Sequence, residues 1–180
     1  MRRLLFCSCP ILLVLMLSIP APLVAQSGSS DGLSAKERRK ESRRLLKQVR
    51  NSFVDGELAA ALASVDSILA IDEGNPDAYH YWGRILIRQA DTLLADSVLD
   101  AGIEHAPKSS RLKLYLSRIR LKQGKTESAL SLAEGVLAIK PRESEALYLK
   151  GMALVQQGDS AQATEVLQRA TEIALARRKK

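Results

Sequence analysis

The sequence is poor in the residues from which most catalytic and metal sites are built. Among its 180 residues are two cysteines, two histidines and one tryptophan, and aromatic residues make up only 4% of the chain. Both cysteines, Cys7 and Cys9, lie near the amino terminus, so a chain that loses this segment holds no thiol. Disulfide bonds, thiolate metal sites and cysteine nucleophiles are then excluded together.

The two histidines give no sign of a reactive centre. His80 and His105 lie far apart in the sequence, no His-Glu pair has the spacing of metal ligands, and no glycine-rich loop follows a strand pattern. His105 falls at a position between helices, where a packed or partly exposed histidine is the usual explanation. The sequence therefore predicts no metal, no cofactor and no enzymatic activity.

The amino terminus has the pattern of a signal peptide. Two arginines precede an apolar stretch from Leu4 to Ile19, Pro20 and Pro22 end that stretch, and Ala25 offers a small residue for cleavage. Residues 1–25 are therefore predicted to be removed, and the protein to be exported to the periplasm or secreted from a bacterial cell. The alternative is a retained membrane anchor, although the apolar stretch is shorter than the roughly 20 residues of a spanning helix.

Beyond the predicted cleavage site, the chain divides by composition and charge. Residues 26–33 are rich in serine and glycine, as in a flexible leader. Residues 36–50 carry eight Lys/Arg and two Glu, residues 51–106 carry two Arg and ten Asp/Glu, and residues 107–141 carry eight Lys/Arg and two Glu. This alternation of charge is more informative than the net charge of the chain.

The main feature of the remaining chain is a period of 34 residues. Glycine or alanine recurs at this interval in Gly56, Ala90, Gly124 and Gly158, and alanine recurs in Ala61, Ala95, Ala129 and Ala163. A fixed period of this length indicates an array of one supersecondary unit. Apolar residues at helical spacing on both sides of each glycine predict a helix, a tight turn and a second helix in every unit. The predicted units are residues 42–75, 76–109, 110–143 and 144–177.

Several local signals agree with this division. Ser34 and Glu37 have the spacing of a capping box, which predicts that the first helix begins there. Asn75 followed by Pro76 predicts another helix start, and Asp159 a third. The segment 111–122 disagrees, because its apolar and charged residues alternate as they do in a strand. We favour a helix there, since the segment keeps the 34-residue register and Lys, Leu and Arg are good helix formers.

The pattern resembles the tetratricopeptide repeat family. The second unit carries the resemblance best, and its matching residues are Tyr79, Trp82, Gly83, Leu86, Ala95, Leu99 and Pro107. The third unit departs from the family pattern with Ser117 where glycine is usual, and the first with Ile68 where alanine is usual. The resemblance implies an all-α solenoid of four helix-turn-helix repeats within residues 34–180, acting as a scaffold for protein–protein interaction.

The resemblance also implies where a partner binds. In tetratricopeptide arrays the first helix of each unit lines a concave groove, and the corresponding residues here are rich in arginine and tyrosine. Such a groove suits an acidic or carboxylate-bearing peptide, whereas the alternative is a solvated face that keeps the array soluble. The predicted groove residues are Arg43, Lys47, Arg50, His80, Tyr81, Arg84, Arg88, Arg111, Tyr115, Arg118, Lys122, Tyr148 and Met152.

Two further interpretations concern the ends of the array. The last helix has no successor, so an uncovered apolar edge there would favour a self-assembling homo-oligomer. The basic segments at both ends would favour peripheral contact with anionic lipid. Nucleic acid is not a predicted partner, because the chain is predicted to be exported and its middle is acidic.

Overall fold

The protein, seen here in a computed structural model that describes residues 34–178, consists of helices joined by short turns. No strand occurs in this range, so the strand interpretation of residues 111–122 is wrong. The predicted signal peptide and leader lie outside the described residues. The helices are α1 (Ala35–Asp55), α2 (Leu58–Ile71), α3 (Pro76–Arg88), α4 (Thr92–His105), α5 (Ser110–Lys122), α6 (Thr126–Leu137), α7 (Ser144–Gln157) and α8 (Ser160–Arg178).

The helices form a four-repeat solenoid, as the sequence predicts. Each helix packs against the next one in the chain, and the odd-numbered helices also contact one another from α1 to α3, α5 and α7. Within residues 34–178 the even-numbered helices make no comparable contacts with one another. The array therefore curves toward its odd-numbered helices, which line the concave face.

The predicted helix starts are confirmed. The Ser34 backbone N–H donates to Glu37 Oε2 at 2.8 Å, and the Glu37 N–H donates to Ser34 Oγ at 3.3 Å, which completes the capping box. Asn75 Oδ1 accepts from the first amides of α3, with Pro76 in the first turn. Asp159, which directly precedes α8, likewise accepts at Oδ1 from the Gln162 amide in the first turn of that helix. These caps pair amides that a helix leaves without partners.

The 34-residue column of glycine and alanine closes the turn inside each repeat. Gly56, Gly124 and Gly158 have φ of 84°, 73° and 85°, and Ala90 has φ of 64°. This left-handed conformation suits glycine, whereas an alanine there brings its Cβ close to the backbone. Repeat two therefore makes the same turn as the others with a less suitable residue.

Small residues also allow the two helices of a repeat to approach closely. The four alanines that recur at the 34-residue interval are all buried between the helices; they are Ala61, Ala95, Ala129 and Ala163. A Cβ added to Gly83 would lie 2.9 Å from Leu99 Cδ2, and one added to Gly151 would lie 2.6 Å from Leu167 Cδ2. Only a residue without a side chain fits opposite a leucine at this distance.

Repeat three fills the same space differently. Ser117 stands where the neighbouring repeats have glycine, and Ala133 stands where they have leucine. The Ser117 hydroxyl is fully buried and donates to the Ala129 carbonyl oxygen at 2.8 Å. The departure of Ser117 from the family pattern is thus compensated within its own repeat, because a buried hydroxyl needs a hydrogen-bond partner.

The burial of α5 explains why its sequence resembles a strand. Leu112, Leu116 and Ile119 belong to the hydrophobic cluster of repeat two, while Leu114 and Leu121 belong to the cluster shared by α5, α6 and α7. A helix buried on two sides carries apolar residues around most of its circumference. The alternation therefore arises from two packing faces rather than from the pleat of a strand.

The carboxy-terminal edge is less apolar than the sequence predicts. A depression of about 680 Å³ lies against α8, and its lining contains two leucines, Leu167 and Leu175, and four polar residues. The polar residues are Thr164, Gln168, Thr171 and Glu172. The apolar edge on which the prediction of self-assembly depends is thus interrupted by polar side chains.

Candidate functional site

The concave face brings the basic residues of the first repeat next to those of the second and third. Arg50, Arg84 and Arg118 share one column of the 34-residue repeat and lie on α1, α3 and α5. Beside them a depression of about 280 Å³ contains five of the predicted groove residues, together with Leu46 and Asp77. The five are Arg43, Lys47, Arg50, Tyr81 and Arg111.

Arg84 is held between aromatic rings. Its Cζ lies 4.3 Å from the centroid of the Phe53 ring and 5.3 Å from that of Tyr81, and the two rings meet edge to face at 6.2 Å. Cation–π contacts of this kind fix the plane of the guanidinium. Its hydrogen-bond donors remain available because no acidic side chain within residues 34–178 forms an ion pair with it.

Phe53 of α1 completes this cluster. It is buried, and both Arg84 and Arg88 lie over its ring, with Arg88 Cζ at 4.9 Å. Arg88 Nη1 also donates to the Phe53 carbonyl oxygen. The repeat register indicates this position, since Phe53 occupies the column of Ile87 on the groove side of α1.

His80 lies at the centre of the groove in an unusual electrostatic environment. Its ring meets Tyr115 edge to face at 4.9 Å and Tyr81 at 5.8 Å. Burial, and then the positive charges of three arginines, lower the pKa of His80 to about 4. The arginines are Arg84, Arg111 and Arg118. His80 is therefore neutral near pH 7, and its buried Nδ1 has no hydrogen-bond partner within the described residues.

Acidic side chains neutralise part of this groove. Arg111 pairs with Asp77, and Arg118 pairs with Glu145. The first pair joins residues 34 positions apart, in a column whose sign alternates from Arg43 to Asp77, Arg111 and Glu145. This alternation is legible in the sequence, and it reduces the positive charge of the groove in repeats two to four.

The remaining cations are concentrated at the amino-terminal end of the groove. Arg43, Lys47 and Arg50 on α1 form no ion pair within residues 34–178, and neither does Lys122 on α5. Together with Arg84 they leave the groove positive along α1 and α3. The unpaired positive charge of the groove is thus highest in its first two repeats.

Two predicted groove residues lie apart from this cluster. Tyr148 lines a separate depression of about 400 Å³ between α7 and α8. Met152 packs against the hydrophobic cluster of α5, α6 and α7. The aromatic lining that the structure gathers therefore consists of Phe53, Tyr81 and Tyr115, without Tyr148.

On the convex face, in contrast to the groove, the charged side chains pair with one another. The Arg120 side chain is 13% exposed; its Nε lies 3.1 Å from Asp96 Oδ1, and it also pairs with Asp100. Arg120 Nη1 donates to Ser128 Oγ at 2.8 Å, and Lys125 Nζ reaches Asp96 Oδ2 at 3.1 Å. This network joins repeats two and three.

The described residues contain no arrangement that indicates metal chemistry. Within residues 34–178 no group of three or more His, Cys, Asp or Glu side chains is placed to hold a metal ion. His105 is partly exposed and stacks on Tyr79 at 5.7 Å. No helix in this range combines the length and apolar character needed to cross a membrane.

Comparisons with known proteins agree with this architecture. Residues 120–177 match the tetratricopeptide repeat family, and no curated protein matches the chain significantly. MamA from Desulfovibrio magneticus RS-1 is 20% identical with a TM-score of 0.63, and the match covers 74% of this chain and 75% of that one. PilF from Pseudomonas aeruginosa is 17% identical with a TM-score of 0.69, and the match covers 76% and 62% of the two chains.

Proposed function

Because this chain is built of tetratricopeptide repeats, we propose that it is a non-catalytic scaffold whose groove binds an acidic segment of a protein partner. The observation that carries the proposal is Arg84, a guanidinium held between Phe53 and Tyr81 without a carboxylate partner. An arginine whose plane is already fixed loses little side-chain entropy when it pairs with a carboxylate. Arg84 thus supplies a specific contact, whereas a solvated arginine supplies only charge.

The neighbouring residues support the same ligand class. Tyr81 and Tyr115 offer rigid aromatic area, and Arg43, Lys47 and Arg50 offer further positive charge. Exposed ion pairs such as Arg118–Glu145 are worth only about 0–1 kcal/mol, so a carboxylate of the ligand can replace Glu145 at little cost. The groove therefore favours a segment with several acidic residues and at least one apolar side chain.

The place of action follows from the amino terminus and belongs to the same proposal. If residues 1–25 direct export, the partner is a protein of the bacterial cell envelope or the extracellular space. The role would be that of a scaffold or assembly factor rather than of an enzyme.

The proposal is tested by site-specific photocrosslinking of the full chain in its native cell. A crosslinker at Leu46 in the groove should capture a protein with an acidic segment, whereas one at Ser97 on α4 should not. Arg84→Ala should abolish capture, while Lys108→Ala, an exposed cation in the turn before α5, should leave it unchanged. If a folded Arg84→Ala protein captured the same partner with the same yield, the groove would not be the binding site.

A further inference from the structure

A line of five cations runs along one face of α1. We call Lys36, Lys40, Arg43, Lys47 and Arg50 the cation ladder; their spacings are four, three, four and three residues. At 100° per residue this spacing keeps all five on one stripe of the helix. All five side chains are exposed, and none forms an ion pair within residues 34–178.

The ladder destabilises the helix that carries it. Like charges three or four residues apart repel one another on a helix surface, and the ladder contains four such neighbouring pairs in succession. Beside the ladder, Arg44 is partly neutralised, since it pairs with Glu41 at 2.5 Å. A face that serves only for solubility would mix both signs of charge. The uninterrupted positive stripe therefore points to a negatively charged ligand.

We propose that the cation ladder binds an acidic α-helix of the partner, whose carboxylates recur at alternating intervals of three and four residues. The inference rests on the proposed function, because it keeps the acidic partner and adds its conformation and its position along α1. Lys47 and Arg50 also line the groove depression beside Tyr81. A helix laid on the ladder would therefore reach the groove at its end.

The dimensions of the ladder favour a helical ligand over an extended one. From Lys36 to Arg50 the Cα atoms rise by about 21 Å, at roughly 1.5 Å per residue. A helix with the same alternating intervals places five carboxylates along the same 21 Å or so. In an extended strand the residues on one side are about 6.7 Å apart, so five carboxylates span about 27 Å and fall out of register.

The surroundings of the ladder favour a protein ligand over a membrane. A cleft of about 690 Å³ beside α1 is lined on one side by Arg39 and Arg43 and on the other by Asp72, Glu73 and Asp77. These acidic residues would be brought toward the anionic headgroups of a bilayer lying on the ladder. A single helix is only about 10 Å wide, so it covers less of this cleft than a bilayer surface would.

The ligand conformation is tested with two synthetic peptides and the chain from residue 26. Both peptides have about 18 residues, capped ends and the same composition of Glu, Ala and Gln. One has Glu at alternating intervals of three and four residues, and the other has Glu at every second position. Fluorescence anisotropy should show at least about fivefold tighter binding of the first peptide, and circular dichroism should show that it gains helix when bound. Equal affinities would overturn the proposal.

The position is tested with Lys36→Gln/Lys40→Gln, which changes two ladder residues outside the predicted groove. We expect about fivefold weaker binding of the first peptide and a slightly higher melting temperature, because two repulsive neighbours are removed. Lys108→Gln/Lys140→Gln makes the same charge change at exposed positions elsewhere and should change neither.

The outcomes separate this inference from the proposed function. If Lys36→Gln/Lys40→Gln bound the peptide normally, the ladder would be excluded, while the effect of Arg84→Ala would still decide the groove. Sedimentation with phosphatidylglycerol vesicles provides the remaining test. Binding to vesicles that requires Lys36 and Lys40, without binding of either peptide, would overturn the proposal in favour of a membrane ligand.

Discussion

Repeats two and three form the same pair of helices with different side chains at equivalent positions. In the helix interface, repeat two has Gly83 against Leu99, whereas repeat three has Ser117 in the column of Gly83 and Ala133 in the column of Leu99. In the turn, repeat two has Ala90 where repeat three has Gly124. The backbone geometry of the repeat is thus compatible with more than one set of residues, provided that large and small residues are exchanged together.

The groove side of the two repeats differs in polarity and in the pairing of its charges rather than in volume. The partly buried His80 of repeat two corresponds to Leu114 in repeat three, and the unpaired Arg84 corresponds to Arg118, which pairs with Glu145. These differences do not compensate one another, because both leave repeat two with polar groups that lack partners. Under the proposed function, repeat two therefore contributes more to binding than repeat three does.

The largest effect is expected when repeat two receives only one of the two residues that fill the helix interface of repeat three. Gly83→Ser should lower the free energy of unfolding by about 2–3 kcal/mol, since its Cβ would lie 2.9 Å from Leu99. Adding Leu99→Ala copies the pair found in repeat three, so the double variant should lose less stability than the sum of the two single changes. Urea denaturation of all four proteins gives the coupling energy, and strict additivity would contradict this explanation.

The second largest effect should be a loss of stability at acidic pH that arises from repeat two and not from repeat three. The pKa of His80 is lowered to about 4 in the folded protein, below its unfolded value of 6.5, so the unfolded chain binds the proton first as pH falls. Stability should thus be present above pH 6.5 and fall by about 2 kcal/mol toward pH 4, after allowance for solvent access. His80→Leu, which copies repeat three, should remove this part of the pH dependence, and His105→Gln should retain it.

A substitution in the turn of repeat two should have a smaller effect, and it should raise the free energy of unfolding rather than lower it. Ala90→Gly should stabilise the protein by about 0.5–1 kcal/mol, because glycine adopts the φ of 64° without a Cβ clash. Gly124→Ala is the matched control and should destabilise the chain by a similar amount. Thermal unfolding of both variants measures the difference, and a loss of stability in Ala90→Gly would show that the turn is not strained.

The smallest effect should come from the paired arginine. Glu145→Gln frees Arg118 and makes the groove of repeat three resemble that of repeat two. We expect about two- to threefold tighter binding of an acidic peptide and a change in stability below about 1 kcal/mol. Isothermal titration calorimetry measures the affinity, with Glu127→Gln as a control of equal charge change on α6.

Periodicity made the fold predictable from the sequence, but the register does not distinguish paired arginines from unpaired ones. The 34-residue columns place the turns and the buried alanines correctly, because each recurs in all four repeats. The caps at Ser34, Asn75 and Asp159 follow instead from local sequence signals. The strand-like alternation in residues 111–122 was rightly overruled by register. Register alone gave Arg111 and Arg118 the same role as Arg84, however, although Asp77 and Glu145 pair with the first two.

The part of the site that sequence reasoning missed depends on side-chain contacts between repeats. The position of Arg84 over Phe53 joins residues on α1 and α3, and no spacing rule states which ring a guanidinium will choose. The lowered pKa of His80 likewise depends on its burial and on arginines from two helices. Such contacts are set by the curvature of the array, which the sequence does not display.

The small size of the last hydrophobic cluster has a consequence for the order in which the molecule opens. This cluster contains Leu147, Ala170 and Ile173 as buried residues, and α8, which carries two of them, packs mainly against α7, whereas α3 packs against α1, α2, α4 and α5. Where each unit is stabilised mainly by its neighbours, opening begins at the end with the fewest contacts. Amide protons of α8 should therefore exchange with solvent before those of α3, so that the carboxy-terminal helix can detach while the groove remains intact.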